Sequence, residues 1–154
     1  MGQELSALKG YSFVDTDDLF EEKFRISILD FFERYNEDTF RKIEKDLLLE
    51  TMNYKDAIIA TGGGTPCFFD NMEIIKRSGI SIYLKMDLKT LVDRLTVVKK
   101  KRPLLKNKSK TELESFIRDQ LAEREPFYSQ ADFIVDAEKV TANDIVRLIS
   151  TWSA

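Results

Sequence analysis

At 154 residues the chain is the size of one ordinary domain, and its 43% hydrophobic and 33% charged content is globular, with enough apolar surface for a single core. One cysteine, Cys67, excludes an internal disulfide and any cysteine-based zinc cluster. The absence of histidine excludes the usual general base, the Ser-His and Cys-His nucleophile pairs, and most transition-metal sites. No apolar run approaches membrane-spanning length, the opening residues lack the order of a signal peptide, and a net charge of −3 speaks against nucleic acid as the main partner; the expected setting is the cytoplasm.

In chain order, Gly2 to Lys9 reads as a helix closed by Gly10, and Ser12 to Val14 as a short strand ending at Asp15 and Asp17. Asp17 to Arg25 is a short amphipathic helix. Ser27 to Asp30 matches a capping box opening the next helix, and Glu37 to Met52 is a third, with Phe40, Ile43 and Leu47 on one face. The apolar run Ala57 to Ala60 is too short for a helix and is stopped by three glycines, so it predicts a buried strand feeding a tight loop. A helix follows over Asp70 to Arg77, then a strand over Ile80 to Leu84, then a helical stripe of Leu88, Leu91, Val92 and Leu95. The segment VKKKRPLLKNKSK breaks the pattern as a basic loop. Leu113, Phe116, Ile117 and Leu121 mark a long helix, Phe133 to Val135 a last strand, and Ile145, Leu148, Ile149 and Trp152 a last helix. Strands alternating with helices predict one α/β domain with a parallel sheet.

Chemistry concentrates at the strand ends. The D-x-D spacing of Asp15 and Asp17 points both carboxylates to one side of an extended segment, where they could orient hydrated Mg²⁺ and accept a proton from a hydroxyl. Taken alone, the pair reads as the cap of the following helix. Gly62, Gly63 and Gly64 sit between a strand and a helix; a turn needing positive φ normally uses two glycines, so three favour a backbone that approaches a ligand. Arg41, near a buried stripe, suits bidentate capture of a carboxylate, although by itself it reads as an ion pair with Glu44 three residues on. Arg102 lies in the basic run 99–110, where either a solvated loop or a phosphate-covering lid fits. Arg124 ends a helix beside Pro126, Phe127 and Tyr128, where a helix C-terminus also favours a cation. Cys67 reads as a small buried residue.

Together and in order, FVDTD, FRKIE, IATGGG, RPLL and REPFYSQAD resemble the motifs of the shikimate kinase family of P-loop kinases over essentially the whole chain. The resemblance implies a three-layer α/β P-loop kinase fold with a parallel sheet in the order 2-3-1-4-5. It implies transfer of the γ-phosphoryl of ATP, with Mg²⁺, to the 3-hydroxyl of shikimate in aromatic amino acid biosynthesis. By matched motif, Asp17 would hydrogen-bond the shikimate hydroxyls and serve as base, and Asp15 would hold the Mg²⁺ shell through water. Arg41 and Arg124 would clamp the substrate carboxylate, with the amides of Gly62, Gly63 and Gly64 completing the pocket. Arg102 would swing in with the lid, residues 99–110, to neutralise charge on the transferring phosphate, and the loop from Asp136 to Thr141 would lie near the adenine. Shikimate and ATP are then the expected partners of a cytoplasmic monomer, with neither nucleic acid nor membrane. Two alternatives stay open: a related small-molecule kinase such as a gluconate kinase, and a non-catalytic domain that binds shikimate or a protein.

The sequence departs from the family pattern in two places. Asn36 replaces a glycine ahead of Phe40 and Arg41, a position where Asn tolerates the same left-handed backbone. The family pattern also opens with a strand followed by Gly-x-x-x-x-Gly-Lys-Ser/Thr, which this sequence does not contain. Met1 to Gly10 align with the helix after that motif, so the expectation is that the central first strand and the loop are absent, roughly fifteen residues in all. A chain as short as this is expected to have little or no kinase activity.

Overall fold

The computed structural model describes residues 1–98 and 109–152. Helix α1 (Gly2–Lys9) leads through Gly10 in the left-handed conformation into β1 (Ser12–Asp15). Then come α2 (Thr16–Phe24), α3 (Ile28–Arg34) and α4 (Glu37–Thr51), followed by β2 (Ala57–Ala60), a single 3₁₀ turn (Thr65–Cys67) and α5 (Asn71–Ser78). Strand β3 (Ile82–Lys85) precedes α6 (Leu88–Val98), and α7 (Lys110–Tyr128) leads to β4 (Phe133–Asp136) and α8 (Ala142–Trp152). Among the described residues no helix is long and apolar enough to cross a membrane.

All strand pairing is parallel, as the alternation of elements predicts. β1 pairs with β2 from Ser12 opposite Ala57 to Asp15 opposite Ala60. β3 pairs with β4 from Ile82 opposite Phe133 to Lys85 opposite Asp136. The expected order places these same strands side by side in twos, and no strand of the described residues hydrogen-bonds across from one pair to the other. In keeping with this, β2 is half-buried along its length rather than the buried strand its sequence suggests. The β1–β2 register brings Asp15 level with Ala60 at one carboxyl edge, so the residues following β1 and β2 emerge side by side.

Helix starts follow local side-chain chemistry. Ser27 Oγ accepts from Asp30 N–H at 3.0 Å and donates to the Asp30 carboxylate at 2.7 Å in place of a return bond to the Ser27 N–H, while Glu21 accepts from the next donor, Ile28 N–H, at 2.9 Å. Asn36, the residue in place of the family's glycine, caps α4 through Thr39 N–H with extended rather than left-handed backbone. A full capping box opens α7 at Ser109 and Glu112. That helix runs through Pro126 to Tyr128 rather than ending near Arg124, since a proline two residues from the end forfeits a single backbone bond, to Ala122.

Among the described residues two apolar clusters stand in place of one core. Phe20, Phe31, Phe40 and Leu47 join α2, α3 and α4, with Phe20 and Phe31 edge to face at 5.2 Å. Val92, Leu113 and Ile117 join α6 to α7. The first cluster carries α4 and Arg41; the second carries α7 and Arg124.

Strand β3 starts two residues later than its apolar run suggests, because Ser81 is held by a side chain. Asp132 accepts from both Ser81 N–H (2.9 Å) and Ser81 Oγ (2.6 Å), while Asp132 N–H donates back to Ser81 Oγ at 2.9 Å. Those bonds hold the Asp132 carboxyl below the usual carboxylate range, so their stabilisation is present above the unfolded value and lost as pH falls through the folded one. Asp132→Ala is expected to cost about 1–2 kcal/mol in urea unfolding at neutral pH, a difference that fades below about pH 4.

Candidate functional site

The carboxyl ends of β1 and β2 put two loops in contact. After β1, Thr16 starts α2, and its Oγ1 accepts from Gly62 N–H at 3.3 Å, tying the first loop to the second. Asp15 caps α2, its carboxylate accepting from Asp17 N–H at 2.9 Å, so the helix-cap reading of this pair is realised for Asp15. None of Gly62, Gly63 and Gly64 has the left-handed φ that favours glycine; among described glycines only Gly10 does, and Gly64 is helical at φ −83°. The turn does not demand glycine for its backbone angles. Space does.

A Cβ placed on Gly64 would lie 2.7 Å from both Nη1 and Nη2 of Arg41, closer than packed atoms stand. On Gly62 it would meet Thr65 Oγ1 at 3.1 Å and Asp17 Oδ1 and Glu44 Oε1 at 3.3 Å. On Gly63 it would meet Arg124 Nη1 at 3.3 Å and the Tyr128 hydroxyl at 3.4 Å. Three successive glycines thus bring Asp17 from α2, Arg41 from α4 and Arg124 from α7 against one stretch of backbone. These residues are far apart in sequence, and the fold assembles them. Gly62 N–H is committed to Thr16, whereas Gly63 N–H and Gly64 N–H meet no protein acceptor among the described residues.

Arg41 is 7% exposed and Glu44 5%, which makes their pair a buried one rather than the surface pair that their spacing suggests. Arg41 Nη1 donates to Glu44 at 2.8 Å, and Nε and Nη2 donate to Glu37 at 3.1 and 2.9 Å. The guanidinium also lies over Phe68, 4.2 Å from the ring centre. Glu44 in turn accepts from the Thr65 hydroxyl at 2.7 Å, and Asn71 Nδ2 donates to Thr65 O at 2.8 Å. Buried charge is tolerated only when paired and hydrogen-bonded in this way. A guanidinium has five N–H donors; three are engaged by Glu37 and Glu44 among the described residues.

Arg124 lines a hollow of about 370 Å³ together with Glu37, Cys67, Phe68, Gln120 and Phe127. Its Nη2 donates to Gln120 at 2.7 Å. Burial raises the Cys67 thiol above its ordinary value despite the opposing charges of Arg124 and Arg41, so the sulfur stays protonated. A second hollow, about 510 Å³, opens between α1 and the head of α8 and is lined by Ala7, Leu8, Thr141 and Ala142. Arg102 and most of the expected lid lie outside the described residues. Among those described, no group of three or more acidic or cysteine side chains could hold a metal ion by itself.

Sequence reasoning singled out Asp17, Arg41, Arg124 and the glycines but missed Thr16, Thr65, Asn71 and Tyr128. The buried role of Glu44 was foreshadowed by its spacing from Arg41, and Thr65 by its place directly after the glycines. Nothing local marks Asn71. As assembled, two guanidinium groups, one carboxylate and two backbone N–H groups meet at the glycine loop, next to a hollow that Arg124 lines, a donor-rich arrangement chemically suited to a small anion.

Comparison with known proteins gives one answer. The family model for shikimate kinase matches residues 1–152. A shikimate kinase of Parabacteroides distasonis is 42% identical over 150 residues, covering 97% of this chain and 87% of that protein. The crystal structure of shikimate kinase from Bacteroides thetaiotaomicron superposes with a TM-score of 0.90 at 33% identity, covering 99% of this chain and 90% of that one. Shikimate kinase from Acinetobacter baumannii in complex with shikimate gives 0.87 at 32% identity, covering 98% and 83%.

The buried network makes a direct prediction. Glu44→Ala removes the acceptor of both Arg41 Nη1 and the Thr65 hydroxyl, and is expected to lower stability by about 2–3 kcal/mol in urea unfolding, with Glu37 still compensating part of the charge.

Proposed function

The chain belongs to the shikimate kinase family, enzymes that use ATP and Mg²⁺ to phosphorylate the 3-hydroxyl of shikimate, and from that premise we propose how its residues divide the work. The convergence of Asp17, Arg41 and Arg124 on Gly62–Gly64 carries the reading. Shikimate is a small ring with one carboxylate and several hydroxyls. Arg41 and Arg124 take the carboxylate from two sides, Arg41 with the donors that Glu37 and Glu44 leave over and Arg124 from the hollow that it lines. Gly63 N–H and Gly64 N–H add neutral donors, and Gly62 gives Asp17 and Glu44 room to approach. Asp17 binds the ring hydroxyls and accepts the proton as the 3-hydroxyl becomes the nucleophile. The two guanidinium groups hold that hydroxyl in place by fixing the far end of the ring, so the chain's contribution is orientation and charge rather than covalent chemistry.

The donor set near Asp15 suits Mg²⁺, which favours oxygen, keeps several waters and is normally held by one or two carboxylates together with phosphate. Asp15 would hold it through water; when bound, the ion supplies charge neutralisation at the phosphates. Arg102, in the lid 99–110, would add a positive charge there. The hollow beside Thr141, lined by Ala7, Leu8 and Ala142 together with Glu4 and Asn143, would take the adenine base. No Gly-x-x-x-x-Gly-Lys-Ser/Thr occurs in these 154 residues, so no residue of the chain is assigned to cradling the phosphates. A single domain spans residues 1–154 in this reading. A cytoplasmic monomer completes this reading.

Titration calorimetry tests the clamp without relying on turnover. Shikimate is expected to bind, and Arg124→Met to weaken it about 10- to 100-fold, the effect of losing hydrogen bonds to a charged group. Gly64→Ala should weaken binding by about tenfold or more and also lower stability: its helical φ suits alanine, but the added Cβ displaces buried Arg41 from Glu37 and Glu44. Tighter binding of gluconate than of shikimate would overturn the reading.

A further inference from the structure

Tyr128 lies one helical turn beyond Arg124, on the same face of α7. Its hydroxyl donates to the carbonyl of Gly63, a residue 65 positions earlier in the chain. Among the described residues, one other side-chain hydrogen bond reaches the glycine backbone from a distant element, the contact between Gly62 N–H and Thr16 Oγ1. Each of the two glycines so held is therefore gripped at a different group: Gly62 by its amide and Gly63 by its carbonyl.

The second grip has a geometric consequence. The peptide group between Gly63 and Gly64 is planar and trans, so its C=O and N–H point in opposite directions. Turning the Gly63 carbonyl to Tyr128 turns the Gly64 N–H away from α7. Glycine on both sides leaves this peptide unusually free to rotate, since no Cβ restricts it. The hydroxyl supplies the restraint that the sequence omits.

The tyrosine is itself well anchored. Its ring packs on Tyr83 of β3 with centres 4.8 Å apart, and the Tyr83 hydroxyl donates to Glu125 at 3.1 Å. Glu125 also accepts from Lys85 at 2.6 Å. Strand β3 thus backs the tyrosine on one side while the glycine loop meets it on the other. Burial raises the phenol above its ordinary value, although Arg124 opposes the shift, so the hydroxyl remains a donor near neutral pH.

We propose that Tyr128 is a positioning residue for substrate binding: by holding the Gly63 carbonyl it aims the Gly64 N–H and sets the distance between the glycine loop and Arg124. Its effect reaches the ligand through the peptide group. The inference rests on the reading of Arg124 and the glycine amides as the carboxylate site, and the experiment separates the two.

Tyr128→Phe keeps the ring and its packing on Tyr83 while removing the hydroxyl. Calorimetry with shikimate is expected to show affinity weakened about threefold to tenfold, the range for one neutral hydrogen bond. In the ligand-free protein the ¹⁵N–¹H resonance of Gly64 should move, while that of Gly79, remote from the loop, stays in place. Tyr83→Phe serves as the control, since its hydroxyl meets Glu125 and not the loop; its affinity should match the unsubstituted chain. A merely structural tyrosine would lower the melting temperature and leave both affinity and the Gly64 resonance unchanged, which overturns the proposal. If Arg124→Met weakens binding and Tyr128→Phe does not, the proposal fails and the carboxylate site stands. If the unsubstituted chain does not bind shikimate, the site reading fails and takes the proposal with it.

Discussion

The guanidinium of Arg41 stands so close to the backbone of Gly64 that a single methyl group would not fit between them. Much of the site depends on that approach. A buried arginine must find counter-charge, and Glu44 and Glu37 provide it from the same helix at spacings of three and four residues. Glu44 can do so because Thr65 satisfies its other oxygen, and Thr65 is in place because it opens the 3₁₀ turn that directly follows the glycines. The loop, the arginine and the carboxylate are one unit, and altering any of them shifts the other two.

The two apolar clusters explain how the arginines come to face each other. Aromatic packing among Phe20, Phe31 and Phe40 fixes α4 and with it Arg41. Packing of Val92 against Leu113 and Ile117 fixes α7 and with it Arg124. Neither cluster includes the glycine loop, which lies between them and touches both guanidinium groups. A pocket built on this seam takes its width from the spacing of two separately packed units. Its polar lining comes from the strand ends, where parallel β1 and β2 deliver their loops side by side.

Most of the fold was legible in the sequence because its signals are local. Short apolar runs, Ser and Asn caps, and glycine after a helix depend on neighbours a few residues away, and the parallel α/β arrangement follows from their alternation. The errors were tertiary. Strand β3 starts late because Asp132, 51 residues on, captures Ser81. The three glycines were read against a turn that needs positive φ, whereas distant side chains impose the requirement. Asp17, Arg41 and Arg124 were legible through their resemblance to an ordered set of motifs, each ambiguous by itself. Thr16 and Asn71 carry no such signal: a threonine beginning a helix and an asparagine at the head of another are common on any surface.

The titrating groups of the site favour binding and orientation over covalent catalysis. Histidine is absent from the sequence, and the Cys67 thiol and the Tyr128 phenol are both raised by burial, so neither ionises readily near neutral pH. A thiol held protonated beside two arginines is a poor nucleophile even where its position would suit one. What remains charged is Arg41, Arg124 and the carboxylates that face them, and fixed charges with backbone donors serve a reaction whose demands are alignment and neutralisation. Phosphoryl transfer to a hydroxyl is such a reaction. The absence of histidine is thus in keeping with the proposed division of work, in which fixed charges orient the substrate and Asp17 accepts the proton.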